Sequence, residues 1–183
     1  MIRYFLVFLL SCVIFITGCT QGNQNATNPS IPEGYEALVL TDQQKTEIWE
    51  AAEKTGVEKV YIPSFVRKGQ KLMKVVVSTG DVFYFRLVFS GEGEGYYLQI
   101  TESPEEVLLD GVIIEEKETK IKDIPAKWIS FSNSRDNVEA ASAGLYFKME
   151  STFIRIAESE FKKPFKITQS VEEMAASLQP LTK

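Results

Sequence analysis

The chain has 183 residues, with 20 basic and 25 acidic side chains and a formal net charge of −5 at pH 7. A surface of this charge disfavours nucleic acid as a partner, and direct adsorption to anionic lipid. The chain contains no histidine, which excludes Ser-His-Asp and Cys-His catalysis and histidine-ligated zinc and leaves only carboxylate, lysine or tyrosine chemistry. We therefore predict a non-enzymatic protein without metal or cofactor.

The N-terminal segment is predicted to be a targeting signal. Arg3 supplies one positive charge, and residues 4–16 are apolar apart from Ser11 and Cys12. This apolar run is shorter than the roughly 20 residues that a transmembrane helix needs, and it has the length of a signal-peptide core. No A-x-A cleavage site lies downstream of it.

The apolar run ends instead at Ile16-Thr17-Gly18-Cys19, which resembles the lipobox of bacterial lipoproteins. In that motif the cysteine thiol takes a diacylglycerol, and the chain is then cut immediately before the cysteine. The resemblance implies a signal peptide at 1–18 and a mature chain anchored through Cys19 to the extracytoplasmic face of the cell membrane. The alternatives are an unprocessed anchor helix with a chance cysteine, or cleavage at Cys12 after the poorer lipobox at 9–11.

The polar run "TQGNQNATNPS" (20–30) predicts a flexible tether, so that 19–30 links the anchor to the folded part. Cys12 lies in the predicted signal peptide and Cys19 is the predicted lipidation site, so no intrachain disulfide is available to the mature protein. The remaining residues, 31–183, are enough for a single domain with its own core, and no internal repeat divides them.

The domain is predicted to begin with a helix and a short strand. Thr41 and Gln44 have the spacing of a capping box, and Gly56 supplies a C-terminal stop, which together predict a helix over 42–55. Residues 57–62 are then predicted to form a strand that ends at Pro63.

Three segments rich in β-branched and aromatic residues come next, at 71–78, 82–90 and 96–103, and predict an antiparallel meander. Residues 111–132 predict two or three further strands. "GLYFKM" and "TFIRIA" predict a hairpin around Glu150-Ser151, although neither turn residue favours positive φ. "SVEEMAASLQPL" predicts a C-terminal helix that stops near Pro180. The order of elements predicts an α+β fold.

Three clusters are candidates for function. The aromatic residues Phe83, Phe85, Phe89 and Tyr96 form either an apolar ligand face or a sheet core, and the sheet core is favoured. The glycine-rich "GEGEG" (91–95) with Asp81 offers too few oxygen ligands for calcium and predicts a solvated turn. The glutamates of 115–118 are interpreted as a charged strand end rather than a carboxylate pair that performs chemistry.

Five segments together carry a resemblance to a known family: "VYIPSFVRKGQKLMKVVV" (60–77), "YYLQITESP" (96–104), "KIKDIPAKWISFS" (120–132), "GLYFKMESTFIRI" (144–156) and "SVEEMAASL" (170–178). They resemble the domain of unknown function found in lipoproteins and regulatory membrane proteins of Gram-positive spore-formers. That family is in turn similar to the outer-membrane lipoprotein carriers. The resemblance implies a curved, half-barrel-like antiparallel sheet packed with an N-terminal and a C-terminal helix, and carries no catalytic signature.

These observations lead to two functional hypotheses. The first is a lipid-anchored, extracytoplasmic binding protein that docks an unknown envelope protein or other partner. The second, which the resemblance implies, is a carrier of lipid or another hydrophobic ligand, held against the concave face of the half-barrel.

Overall fold

The computed structural model describes residues 31–91, 96–107, 112–132, 142–160 and 169–183. The predicted signal peptide, the lipobox with Cys19 and the tether lie outside these ranges. Within the described part of the chain, no helix is both long enough and apolar enough to cross a membrane.

The first helix, α1, spans Asp42–Thr55, as predicted, and both ends have the expected caps. The Thr41 side chain accepts a hydrogen bond from the backbone N–H of Gln44, and the Gln44 side chain accepts one from the backbone N–H of Thr41. Gly56 ends the helix with φ of 75°, a left-handed conformation that favours glycine. Ile48, Ala51 and Ala52 give α1 its buried face.

Within the described residues, seven strands form one open antiparallel sheet: β4 Gln70–Thr79, β5 Phe83–Gly91, β6 Tyr96–Ser103, β7 Val112–Ile121, β8 Ile124–Ser132, β9 Ser142–Met149 and β10 Thr152–Glu160. Their order across the sheet is β4-β5-β6-β10-β9-β8-β7. The predicted meander is therefore confirmed as β4-β5-β6, and the predicted hairpin as β9-β10. The hairpin turn places Glu150 at φ of 52°, so this residue does adopt the positive φ that its side chain disfavours.

The non-sequential pairing of β6 with β10 joins two sequential runs of strands into one sheet. On one side of this junction lies the β4-β5-β6 run, and on the other lies the β7-β8-β9-β10 run. The sheet remains open, with β4 and β7 as its edge strands.

Four short strands flank the sheet. Strand β1 (Tyr35–Ala37) pairs with β3 (Phe65–Arg67), and β2 (Tyr61–Pro63) pairs with β11 (Leu178–Pro180). The predicted strand at 57–62 is thus wrong in its bounds, because Val57 continues the helix cap by donating its N–H to the Ala52 carbonyl. Pro63 is accommodated because a two-stranded edge ladder does not require its missing N–H.

The second helix, α2, spans Gln169–Ala176 and confirms the predicted C-terminal helix. Its predicted end near Pro180 is wrong, because Leu178–Pro180 pairs with β2 as strand β11. Both helices cover the same face of the sheet, since their buried side chains share one core cluster with inward-facing strand residues. Alternation along the strands brings these residues to that face. The largest fully buried side chains of this core cluster include Trp128, Phe85, Phe89, Leu87 and Leu98.

Candidate functional site

The face of the sheet turned away from the helices carries a cavity of about 480 Å³. Its floor is made by two rows of side chains that cross five neighbouring strands. Because side chains alternate between the two faces of a strand, residues two apart on each strand share this face.

The inner row follows the sheet register from β6 to β7. Each member pairs directly with the next: Thr101, Arg155, Tyr146, Lys127 and Glu118, on β6, β10, β9, β8 and β7 in turn. This row is polar from end to end, in contrast with the apolar core row on the opposite face.

The outer row lies two positions further along each strand and mixes apolar with cationic side chains. Its members are Ser103, Phe153, Lys148, Pro125 and Lys120, on the same five strands. Glu106 and Val107, which come after the end of β6, also line the cavity, as do Thr119, Ala126, Phe147 and Ile154. The cavity is therefore bounded by a polar floor, two exposed lysines and apolar surface from Phe153, Pro125 and Val107.

Arg155 is the most deeply placed cation of the cavity. Its Nε donates a hydrogen bond to the Tyr146 hydroxyl at 2.9 Å, and its guanidinium carbon lies 5.5 Å from the Phe131 ring centroid and 5.6 Å from that of Tyr146. The residue is only 6% exposed. Burial lowers the pKa of Arg155, partly offset by Tyr146, and burial also raises the pKa of the Tyr146 hydroxyl.

Gly144 provides the space in which the Arg155 side chain lies. A Cβ at this position would stand 2.8 Å from Arg155 Nε and 3.1 Å from Tyr146 Cε2. A larger residue would push against both side chains, so the absence of a side chain at Gly144 positions the cavity floor.

The charges around the cavity differ from those of the chain as a whole. Four basic residues and two acidic residues line it, while the full chain is net acidic at −5. Lys127 is engaged with Glu116 at 2.6 Å, and this hydrogen bond raises the pKa of Lys127. Within the described residues, Lys120 and Lys148 form no ion pair; Lys148 Nζ lies 4.5 Å from the Phe153 ring centroid.

The aromatic residues singled out in the sequence lie elsewhere. Phe85 and Phe89 are fully buried in the core beneath the helices, as the favoured sheet-core interpretation has it, whereas Phe83 is 49% exposed near the end of the β4-β5 hairpin. Tyr96 begins β6, and its side chain lies outside the described set. Phe83, Phe85 and Phe89 do not line the cavity.

A buried carboxyl group lies on the opposite, helix-facing side of the sheet. Glu102 is fully buried, with its Oε2 accepting the backbone N–H of Tyr61 at 3.0 Å and its Oε1 without a hydrogen-bond partner. Burial raises the pKa of Glu102 well above its ordinary value, although the Tyr61 N–H acts in the opposite direction. The sequence does contain a signal for this buried carboxyl group: in the alternating pattern Leu98, Ile100, Glu102, the glutamate lies on the same face of β6 as two apolar residues.

The other clusters considered in the sequence do not converge on a metal or catalytic site. Within the described ranges, no three carboxylate or cysteine side chains are grouped so that they could hold a metal ion. Glu115, Glu116 and Glu118 are exposed along the edge strand β7, and residues 92–95 of the glycine-rich turn lie outside the described ranges.

Comparisons with protein-family models, curated proteins and solved structures return no match for this chain. Function is therefore inferred from the geometry of the cavity and from the leader sequence.

Proposed function

We propose that this chain is a lipid-anchored binding protein of the cell envelope, held at the extracytoplasmic face of the membrane through Cys19. Its ligand is a small molecule bound in the cavity on the open face of the sheet, and no reaction is catalysed. The observation that carries the proposal is the cavity itself, whose 480 Å³ falls within the roughly 300–1,000 Å³ range of small-molecule sites.

The composition of the cavity supports binding rather than catalysis. The basic, tyrosine and carboxylate side chains that line it are spread over two rows, and the chain has no histidine to act as a proton shuttle near neutral pH. A concave site with apolar walls and a few placed polar groups is typical of ligand recognition.

Val107→Trp tests whether the cavity holds the ligand. The indole is expected to occupy part of the space at the cavity wall and to displace the ligand. Wild-type protein purified gently from cells and extracted for mass spectrometry should yield one small molecule in stoichiometric amount, and Val107→Trp should yield less than a tenth of it. Val39→Trp is the matched control, because Val39 is 83% exposed and lies outside the cavity, and this variant should retain the ligand.

An empty wild-type protein that also bound nothing from an envelope extract would contradict the proposal. That result would turn attention to docking of an envelope protein on this face.

Cys19→Ser tests the proposed anchor. Serine lacks the thiol that accepts the diacylglycerol, so incorporation of a radiolabelled or clickable fatty acid should fall to background and the chain should remain uncut before residue 19. A matched Cys12→Ser variant should label like the wild type. Undiminished labelling of Cys19→Ser, or its loss in Cys12→Ser, would contradict lipidation at Cys19.

A second candidate function is the lipid or hydrophobic-ligand carrier of the half-barrel type, in which a curved sheet holds the ligand against the helices. The exposed apolar side chains of Val77, Val82 and Phe83, at the end of the β4-β5 hairpin, favour it as an entry point. Against it, the space between sheet and helices is filled by Phe85, Phe89 and their neighbours. A carrier would therefore have to separate α1 from β5 to admit an acyl chain.

A further inference from the structure

The charge pattern of the cavity defines the chemistry of its ligand. Lys120 and Lys148 lie in the outer row, on either side of Pro125. Lys120, on β7, pairs directly with Pro125 on β8. Lys148, on β9, follows Phe147, which pairs with Ala126 on β8. Strands two apart in a sheet are separated by about 10 Å, a distance that two lysine side chains span when they converge on one anion. Both are exposed and form no ion pair within the described residues.

Basic side chains outnumber acidic ones in the lining, four to two. Lys127 is engaged with Glu116, and Glu118 and Glu106 are the two carboxylates of the lining. The lining therefore carries a net positive charge inside a net acidic chain.

The end of the cavity toward β6 offers apolar surface from Phe153 and Val107, beside Ser103 and the Glu106 carboxylate. Phe153 lies next to Lys148 in the outer row, and Val107 stands at the wall beyond β6. A ligand that matches both ends has an anionic head near Lys120 and Lys148 and an apolar body across Phe153 toward Val107.

We propose that the ligand is a small, soluble amphipathic anion: a carboxylate or phosphate ester on an apolar body. This inference rests on the proposed binding function and names the ligand class of the same cavity. The lysine heads bind the anion by charge-assisted hydrogen bonds, and the apolar body replaces water over the outer row.

The test compares decanoate with 1-decanol, which have the same alkyl length and differ in the charged head. Isothermal titration uses the chain that begins at residue 19 with Cys19→Ser, which retains every described residue and the whole described core. The wild-type cavity should bind decanoate at one molecule per chain and bind 1-decanol at least tenfold more weakly, as expected when charge-assisted contacts are missing.

The variant Lys120→Gln/Lys148→Gln should weaken decanoate binding at least tenfold while leaving 1-decanol binding within twofold. Lys71→Gln/Lys74→Gln makes the same charge change on β4, outside the cavity, and should bind decanoate like the wild type. Equal loss in both double variants would identify a general charge effect and overturn the proposal, as would undiminished binding to the Lys120/Lys148 variant.

Vesicles of phosphatidylglycerol and phosphatidylcholine separate a soluble ligand from a membrane surface. The proposal expects no sedimentation with either vesicle. Binding to phosphatidylglycerol vesicles without decanoate binding would overturn it in favour of a lipid headgroup. If instead mass spectrometry finds a neutral or cationic molecule in the cavity, this inference fails while the proposed binding function stands.

Discussion

The wild-type protein should lose stability as the pH rises above 4.5, the ordinary pKa of a glutamate, and the Glu102→Gln variant should not show this loss. In the folded chain Glu102 is fully buried, and burial raises its pKa well above that value. The Glu102 carboxyl therefore contributes its full stabilisation at a pH below its pKa in the unfolded chain. That contribution is lost as the pH rises through its pKa in the folded chain.

Over that window the wild-type unfolding equilibrium constant should increase by about tenfold per pH unit relative to the variant, because the unfolded state releases a proton that the folded state retains. The glutamine oxygen still accepts the Tyr61 N–H, while its amide group lacks a partner, as Oε1 of Glu102 does now. The amide leaves two donors unpaired where the protonated carboxyl leaves one, so the variant should be less stable than the wild type at acidic pH and gain on it as the pH rises.

Urea unfolding of both proteins at intervals from pH 4.5 to 9 measures this difference. Glu50→Gln, an exposed change on α1, should follow the wild-type curve at every pH. A constant difference between wild type and Glu102→Gln across the range would show that Glu102 is ionised in the folded chain and would contradict the account of its burial.

Gly144→Ala should destabilise the protein and disturb the cavity at the same time. The new Cβ would stand 2.8 Å from Arg155 Nε and 3.1 Å from Tyr146 Cε2, which is closer than packed atoms allow. Arg155 is buried and hydrogen-bonded to Tyr146, so its displacement alters the inner row. We expect a loss of about 1–3 kcal/mol in the free energy of unfolding, the usual effect of overpacking.

The matched control is Gly80→Ala, because a Cβ at Gly80 meets no atom within 4 Å. Chemical denaturation and titration with decanoate measure both variants. Gly144→Ala should lose stability and bind decanoate at least fivefold more weakly, because displaced Arg155 and Tyr146 side chains change the floor of the cavity. Wild-type stability and affinity in Gly144→Ala would show that Arg155 has room to move and that Gly144 does not position it.

The parts of the fold that depend on local signals could be predicted from the sequence. Thr41, Gln44 and Gly56 determine the ends of α1 through caps that involve only neighbouring residues. The long strands were recognisable because β-branched and aromatic residues dominate them. The pairing of β2 with β11 could not be recognised in the sequence. Each of these strands has three residues, too few to show a periodic pattern, and each ends in a proline.

The cavity could not be predicted in the same way, because it depends on which strands pair. Lys120 and Lys148 come together through the register of β7, β8 and β9, and Thr101 meets Arg155 only because β6 pairs with β10. A one-residue shift in any of these registers would move a side chain to the other face. The aromatic cluster was the stronger signal in the sequence, but burial beneath the helices removes Phe85 and Phe89 from the surface.

The central claim is that a small ligand binds on the open face of the sheet, and the most direct test is a two-dimensional amide NMR titration with decanoate. We predict that the resonances that shift with saturation belong to the strands of the two rows, especially Lys148, Phe153 and Arg155, together with Val107. Amides of α1 and of the buried part of β5 should stay in place. Shifts concentrated instead at Ile48, Phe85 and Phe89 would place the ligand between sheet and helices and would contradict binding on the open face.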